Sequence, residues 1–369
     1  MRKILSVIAL SAVMTVASVA NAETIKIGVA GAHSGDLASY GIPSAKAAEI
    51  YANEVNAAGG LLGKQIELIK ADDVCKPEIA VNSAHKLVTD KVIFVLGHIC
   101  SGATKAALGT YTEAGIPVMS PSATNPGLTK SGDYPNFFRT IAPDDAQAKL
   151  AVDFTIDKLS AKKIAVIHDK GDYGKGFAEF AKMFIEDGKK AEVVLFEGVT
   201  PGAVDYTAVV QKIKRSKADA VIFGGYHPEA SKIITAMKKK KVKAAFVSDD
   251  GVKDDTFIKV AGEYAEGGYA TGPKDNSMNP LNKQAIANHK AAYNEDPGAF
   301  YIEAYSAMVA ITEAIKAAGS TDYDKVTAAL RSNWVDTPIG KIKFDERGDA
   351  IGAGFAVYQV QNGQYVEVK

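Results

Sequence analysis

Short runs of Val, Ile, Leu, Phe and Ala alternate along the chain with segments whose apolar residues recur at helical spacing. Strands are predicted over 25–30, 66–71, 92–96, 117–120, 164–168, 192–196, 220–223 and 245–248. Between them lie helical stretches over 45–57, 77–89, 104–113, 146–159, 176–187, 206–215 and 229–239. Near-continuous apolar strands separated by helices of about 10 to 15 residues indicate βαβ units and parallel sheets covered on both faces. The fold class is α/β. After the fourth strand the segment 125–143 is rich in Gly, Pro, Asn and Thr, and the alternation then restarts at Ile164. Two similar lobes are expected, with 125–143 as a crossing between them. From Pro280 the pattern changes to two long helices, over 281–293 and 300–317, and then to short strands near 341–344 and 355–360.

The amino end reads differently. Arg2 and Lys3 precede a charge-free, mostly apolar run from Ile4 to Val19, which closes on Ala20-Asn21-Ala22 before Glu23. That is the pattern of a secretory signal and its small-residue cleavage site, so a mature chain starting at Glu23 is expected. The run is shorter than the roughly 20 residues a membrane span needs. The whole chain of 369 residues is 47% hydrophobic and 23% charged, which suits neither a disordered polymer nor a membrane protein. Its 43 basic residues balance 43 acidic ones, so there is no basic field for a nucleic-acid backbone. Cys75 and Cys100 are the only two cysteines in the chain. In an oxidising compartment the pair reads as one disulfide, with two separate buried thiols as the alternative.

Open parallel sheets bind ligands beyond the carboxyl ends of their strands. Those segments are rich in hydroxyls and aromatics here: His33 to Gly41, Gly97 to Thr104 and Ser120 to Thr124 in the first series, then His168 to Gly174, Gly224 to Glu229 and Ser248 to Gly251 in the second. Ser101 is a candidate helix N-cap, with the amides behind it suited to a carboxylate. Ser122 and Thr124 can add hydroxyl donors, Asp250 can meet an ammonium group, and the tyrosines can form apolar walls with their hydroxyls bonded elsewhere. Together these describe an α-amino-acid site. Taken singly, each residue reads equally as a helix cap or turn former. No G-x-S-x-G elbow accompanies Ser101 or His98, 171–176 lacks the phosphate-loop pattern, and the acidic groups lack an EF-hand's spacing. No enzyme activity, cofactor or metal is expected.

The residues also carry a resemblance. Glu23-Thr24-Ile25-Lys26-Ile27-Gly28-Val29-Ala30-Gly31-Ala32, Asp72-Asp73 with Cys75 and Pro77, Gly97-His98 with Cys100-Ser101, Pro121-Ser122-Ala123-Thr124, His168-Asp169-Lys170 with Tyr173-Gly174, Gly224-Gly225-Tyr226-His227-Pro228-Glu229 and Gly298-Ala299-Phe300 follow one another as in the periplasmic leucine/isoleucine/valine-binding proteins. The resemblance covers essentially all of the chain after residue 22. It implies a type I periplasmic-binding-protein fold, with two doubly wound parallel-sheet lobes joined by a three-crossover hinge. One lobe would comprise 23–142 plus 274–354, the other 143–273 plus 355–369, after a signal peptide at 1–22.

The resemblance also implies roles. Ser101 and Thr124 would bond the carboxylate of a free amino acid, the backbone at Ser122 and Ala123 would contribute, and Asp250 would pair with the ammonium. Tyr40, Ile99, Tyr173, Tyr226 and Phe300 would line the side-chain pocket, and Cys75 would be bridged to Cys100. Two departures stand out: Ser122 replaces the usual Ala and Asp250 the usual Glu, so the shorter acid needs compensation from water or lobe geometry. The implied protein is a periplasmic, monomeric binding component that delivers a branched-chain amino acid to an ABC-type membrane permease. A sensor domain, or a pocket for another neutral amino acid or small amide, would share most of these residues.

Overall fold

A computed structural model describes residues 23–368; the predicted signal segment at 1–22 lies outside the described residues. The chain begins with β1 (Ile25–Gly31), α1 (Ala38–Ala57), β2 (Ile66–Asp72), α2 (Pro77–Thr89), β3 (Phe94–Leu96), α3 (Ser101–Glu113), β4 (Val118–Ser120), the single turn α4 (Gly127–Lys130) and β5 (Phe137–Arg139). These strands form one parallel sheet in the order β2-β1-β3-β4-β5. The central strands are buried on both faces, which is why they read as continuous apolar runs rather than as alternating ones.

The second series is α5 (Asp144–Asp153), extended by a π-helical turn over 154–158, then β6 (Lys163–His168), α6 (Asp172–Gly188), β7 (Glu192–Gly198), α7 (Thr207–Ser216), β8 (Ala220–Gly224), α8 (His227–Lys239), β9 (Ala245–Ser248), α9 (Asp255–Ala261) and β10 (Tyr269–Pro273). Next come α10 (Pro280–Tyr293), α11 (Tyr301–Ala318), α12 (Tyr323–Ser332), β11 (Val335–Thr337), β12 (Gly340–Phe344) and β13 (Ala350–Ile351), and the described chain ends with β14 (Phe355–Gln361) and β15 (Gln364–Glu367). The second sheet runs β15-β14-β10-β9-β8-β6-β7, with the last two strands of the chain antiparallel on its edge. The chain therefore passes between the sheets three times, after β5, after β10 and after β13. The architecture is the type I periplasmic-binding-protein fold.

Each sheet has its own core. In the first, α1, α11 and α12 pack on one face through Ile50, Val55, Met308, Ile311, Val326 and Leu330, and α2 and α3 cover the other through Leu87, Ala103, Ala107 and Leu108. In the second, Phe177, Ala181 and Ile185 of α6 cover one face, and Val210, Ile213, Ile233 and Ile234 of α7 and α8 the other.

Three local expectations need correction. The segment 125–143 is more than a crossing, since it contains α4 and the edge strand β5. Helix α1 starts at Ala38 rather than at 45, because Gly41 and Pro43 lie inside it instead of ending it. Gly41 is needed there: a Cβ would fall 2.0 Å from the Ala32 carbonyl oxygen. Ser101 is the first residue of α3, and Cys100 holds the N-cap position.

Candidate functional site

The carboxyl ends of the two sheets face one another at their switch points. On the first sheet the strand order reverses between the paired strands β1 and β3; on the second, between β6 and β8. The facing segments close tightly around a narrow cleft with only about 10 Å³ of open space, lined by Tyr40, Ile99, Ser122, Tyr173, Tyr226, Asp250, Gly251 and Phe300. Seven of the ten residues expected at the site thus meet in one place, though they are drawn from positions 40 to 300 of the chain. Ser101, Ala123 and Thr124 lie against this group without lining it, and all three are buried. Gly251 was not foreseen.

The backbone explains how they are placed. Gly97, at φ 129°, brings the β3 end so close to β1 that a Cβ would lie 2.1 Å from the Ala30 carbonyl oxygen. Cys75 and Cys100 form a disulfide with Cα atoms 5.5 Å apart, tying the segment after β2 to the residue that precedes α3. Behind the loop after β4 sits Arg139, fully buried. Its Nη1 donates to the carbonyls of Ala123 at 3.1 Å and Asn125 at 3.0 Å, its Nη2 to Thr129 Oγ1 at 2.8 Å, and its Nε to Asp349 at 2.6 Å. Sequence reasoning passed over Arg139 because nothing in Phe-Phe-Arg-Thr marks a cation that will be wholly enclosed.

Most polar groups around the cleft are engaged within the protein. Tyr40 Oη donates to the Gly251 carbonyl at 2.5 Å and lies 2.7 Å from His227 Nδ1. Since the hydroxyl has one proton, the imidazole must be the donor at Nδ1. Tyr173 Oη donates to Asp250 and accepts the Gly251 amide at 2.8 Å. Ser122 Oγ donates to the Ile99 carbonyl at 2.8 Å, so its hydroxyl proton, expected to face outward, is turned back into the protein. Ser101 Oγ accepts the Asn125 amide at 3.2 Å and keeps its own proton available. The polar atoms near the cleft that lack a partner include Thr124 Oγ1 and Asp250 Oδ2, along with the side chains of Asp144 and Gln147 on α5. The remaining walls are aromatic, with ring centroids 5.8 Å apart for Tyr40 and Tyr226, 5.8 Å for Tyr40 and Phe300, and 5.1 Å for Tyr173 and Tyr226.

Burial governs the electrostatics. It pushes the Asp250 carboxyl up to about 6, against the pull of Tyr173 and Gln147, and raises Asp144 and Asp249 well above the usual carboxylate range. Asp249 accepts the Gly225 amide at 2.7 Å and serves the backbone. The same desolvation holds the Tyr173 and Tyr226 phenols protonated. His98 is occupied on both ring nitrogens, by Asp73 at 2.5 Å and Tyr111 at 3.0 Å, and so is not paired with Ser101. The arrangement can hold a molecule with a charged or polar end and an apolar end, and it encloses what it holds.

Further contacts join the two sides at the rim. Asn125 Nδ2 donates to the Asp172 carbonyl at 2.6 Å, and Lys105 lies 3.1 Å from the Asp172 carboxylate. The conformation is a closed one. Being exposed, the Lys105 pair adds little; the buried Tyr40 contacts matter more.

A family model described as "Periplasmic binding protein" matches residues 24–364. A Pseudomonas aeruginosa protein named for binding leucine, isoleucine, valine, threonine and alanine is 39% identical over 338 residues, which is 92% of this chain and 90% of that one. The Leu/Ile/Val-binding protein of Escherichia coli is 35% identical over 95% of each chain. Among solved structures, a branched-chain amino acid transporter substrate binding protein from Streptococcus pneumoniae, in complex with isoleucine, superposes with a TM-score of 0.84 at 30% identity, covering 94% of this chain and all of that one.

Proposed function

The chain belongs to the periplasmic binding protein family, and from that premise we propose that it captures an aliphatic amino acid of the leucine, isoleucine and valine type and presents it to an ABC-type permease. It does so in the periplasm, as a monomer exported by a cleaved signal at 1–22. The closing lobes are 23–142 with 274–354, and 143–273 with 355–369. No bond is made or broken. An open form takes the ligand on one lobe, and closure follows as the second lobe gains its own contacts.

One observation carries this reading. Thr124 Oγ1 and Asp250 Oδ2 are unpartnered beside the cleft, while the Tyr40, Tyr173 and Ser122 hydroxyls on its walls are bonded inside the protein. A ligand there is asked for an ammonium at one end and ring-packed carbon at the other. Its carboxylate is assigned to Ser101, Thr124, the backbone of Ser122 and Ala123, and the free amides at the start of α3. The side chain packs on Tyr40, Ile99, Tyr173, Tyr226 and Phe300. A charged side chain would be buried unpaired among them, at a cost of several kcal/mol.

Titration calorimetry with the amino acids checks this. Leucine, isoleucine and valine are expected to bind, with alanine weaker by about 0.8 kcal/mol per methylene lost, and lysine, arginine, aspartate and glutamate not at all. An acidic or basic amino acid ranking above leucine would refute the pocket assignment.

A further inference from the structure

The balanced charge of the whole chain conceals a local imbalance. In the second sheet β9, β8, β6 and β7 are neighbours and run parallel, so their amino ends share one edge, opposite the carboxyl ends that face the cleft. The segments leading into these four strands are basic. Lys162 and Lys163 stand at the start of β6, Lys189-Lys190 precedes β7, Lys214-Arg215 and Lys217 precede β8, and Lys238 to Lys241 with Lys243 precede β9. Over 162–163, 189–192, 214–219 and 238–243 there are twelve cations and two acids, Glu192 and Asp219. Apart from the half-buried Lys240, all twelve cations are exposed.

The acids at this edge are already engaged. Asp219 Oδ2 accepts the amides of Lys162 and Lys163, both at 2.9 Å, and Glu266 accepts the Asn362 amide at 2.9 Å. Glu192 and Asp157 each answer one cation, Lys163 at 3.8 Å and Lys190 at 3.2 Å. Lys214 Nζ donates to the Lys240 carbonyl at 2.9 Å and Lys162 Nζ to the Lys190 carbonyl at 3.4 Å, which ties the four segments together in two adjoining pairs. Among the described residues, Lys189, Arg215, Lys217, Lys241 and Lys243 have no carboxylate within 4.0 Å. Helix ends explain part of the cluster: Lys214, Arg215, Lys238 and Lys239 lie in the last turns of α7 and α8, at the negative ends of their dipoles. Lys162 and Lys163 lead a strand instead, and Lys241 and Lys243 lie beyond the helix, where no dipole accounts for them.

We propose that this basic edge of the second sheet is a docking surface for an anionic phospholipid bilayer, holding the protein loosely against a membrane and leaving the cleft at the other end of the strands clear. The chemistry favours a bilayer over a shaped partner. Eleven of the twelve cations are lysines, hydrated point charges on flexible stems without the planar fork that fixes a bidentate contact. Charges spread over four segments suit a fluid field of phosphates, where each cation near the surface adds to the attraction. That attraction acts within a Debye length, ~10 Å at 0.1 M salt and ~3 Å at 1 M, so the contact is reversible and salt-sensitive. It is independent of the ligand pocket; only its consequence for transport, a binding protein concentrated beside its permease, rests on the function proposed above.

The test is flotation of the mature protein with vesicles of phosphatidylcholine, alone or with about 30% phosphatidylglycerol, at ~50 mM and ~500 mM salt. Binding to the anionic vesicles at low salt should be at least tenfold stronger than to the neutral ones, and should vanish at high salt. The triple variant Lys217→Gln, Lys241→Gln, Lys243→Gln should bind the anionic vesicles at least fivefold more weakly, with melting temperature and leucine affinity unchanged. A second triple variant, Lys76→Gln, Lys283→Gln, Lys325→Gln, removes the same charge from exposed positions outside the second sheet and should bind as the wild type does. No binding, equal binding to both vesicle types, or equal losses in the two triple variants would overturn the docking surface. Binding to polyglutamate but not to anionic vesicles would overturn it too, in favour of an acidic protein partner. A leucine titration of the same samples keeps the two readings apart, since vesicle binding can fail while leucine still binds.

Discussion

Replacing Tyr40 with Phe removes a single oxygen and leaves the ring that walls the pocket, so it isolates the contact that holds the two sides together. In the closed form that oxygen serves three groups from the opposite side of the cleft, the Gly251 carbonyl at 2.5 Å, the His227 ring at 2.7 Å and, more weakly, the His227 backbone amide at 3.4 Å. With Phe in place the carbonyl stays buried without a donor, whereas the His227 ring can shift its proton to its other nitrogen. One unsatisfied buried group costs about 1–3 kcal/mol. In the open form water reaches these groups, so the penalty falls on the closed, liganded state alone. Leucine affinity should therefore drop roughly 5- to 150-fold. The loss should lie in the dissociation rate, because the contact forms only on closure. Ring packing against Tyr226 and Phe300 is kept, so the melting temperature without ligand should hardly move. Calorimetry and stopped-flow release of leucine measure both quantities. An affinity and a release rate within twofold of the wild type would refute the claim that this hydroxyl stabilises closure.

Asp250→Asn should weaken leucine binding by about 2 to 5 kcal/mol, the range for breaking a desolvated charge pair, with the fold intact by circular dichroism; unchanged affinity would remove Asp250 from the site. Arg139→Lys cannot reproduce four hydrogen bonds in a fixed fork. It should cost about 1–3 kcal/mol of stability by leaving buried carbonyls of the loop after β4 unpaired; an unshifted urea midpoint would contradict this. Reducing the Cys75–Cys100 bridge, which spans a sequence separation of 25, should remove about 3 to 4 kcal/mol in the chain-entropy view and lower the thermal midpoint. Alkylation of the unreduced protein should label neither cysteine.

Much of this was readable in the residues because the fold repeats one device. Helix α2 lies over 77–89 and strand β9 over 245–248, as the pattern predicts, since apolar period and breaker residues agree there. Where local signals conflict with tertiary context the reading slips. Gly41 and Pro43 signal the end of a helix, yet α1 runs through them because Gly41 must pass against the Ala32 carbonyl. Strand β5 has only three residues, Phe137 to Arg139, too few to show a period, and its neighbours Pro135 and Asn136 look like loop. Ser122 was expected to offer a hydroxyl; its bond to the Ile99 carbonyl depends on β3 and β4 lying side by side, a relation that no local pattern records.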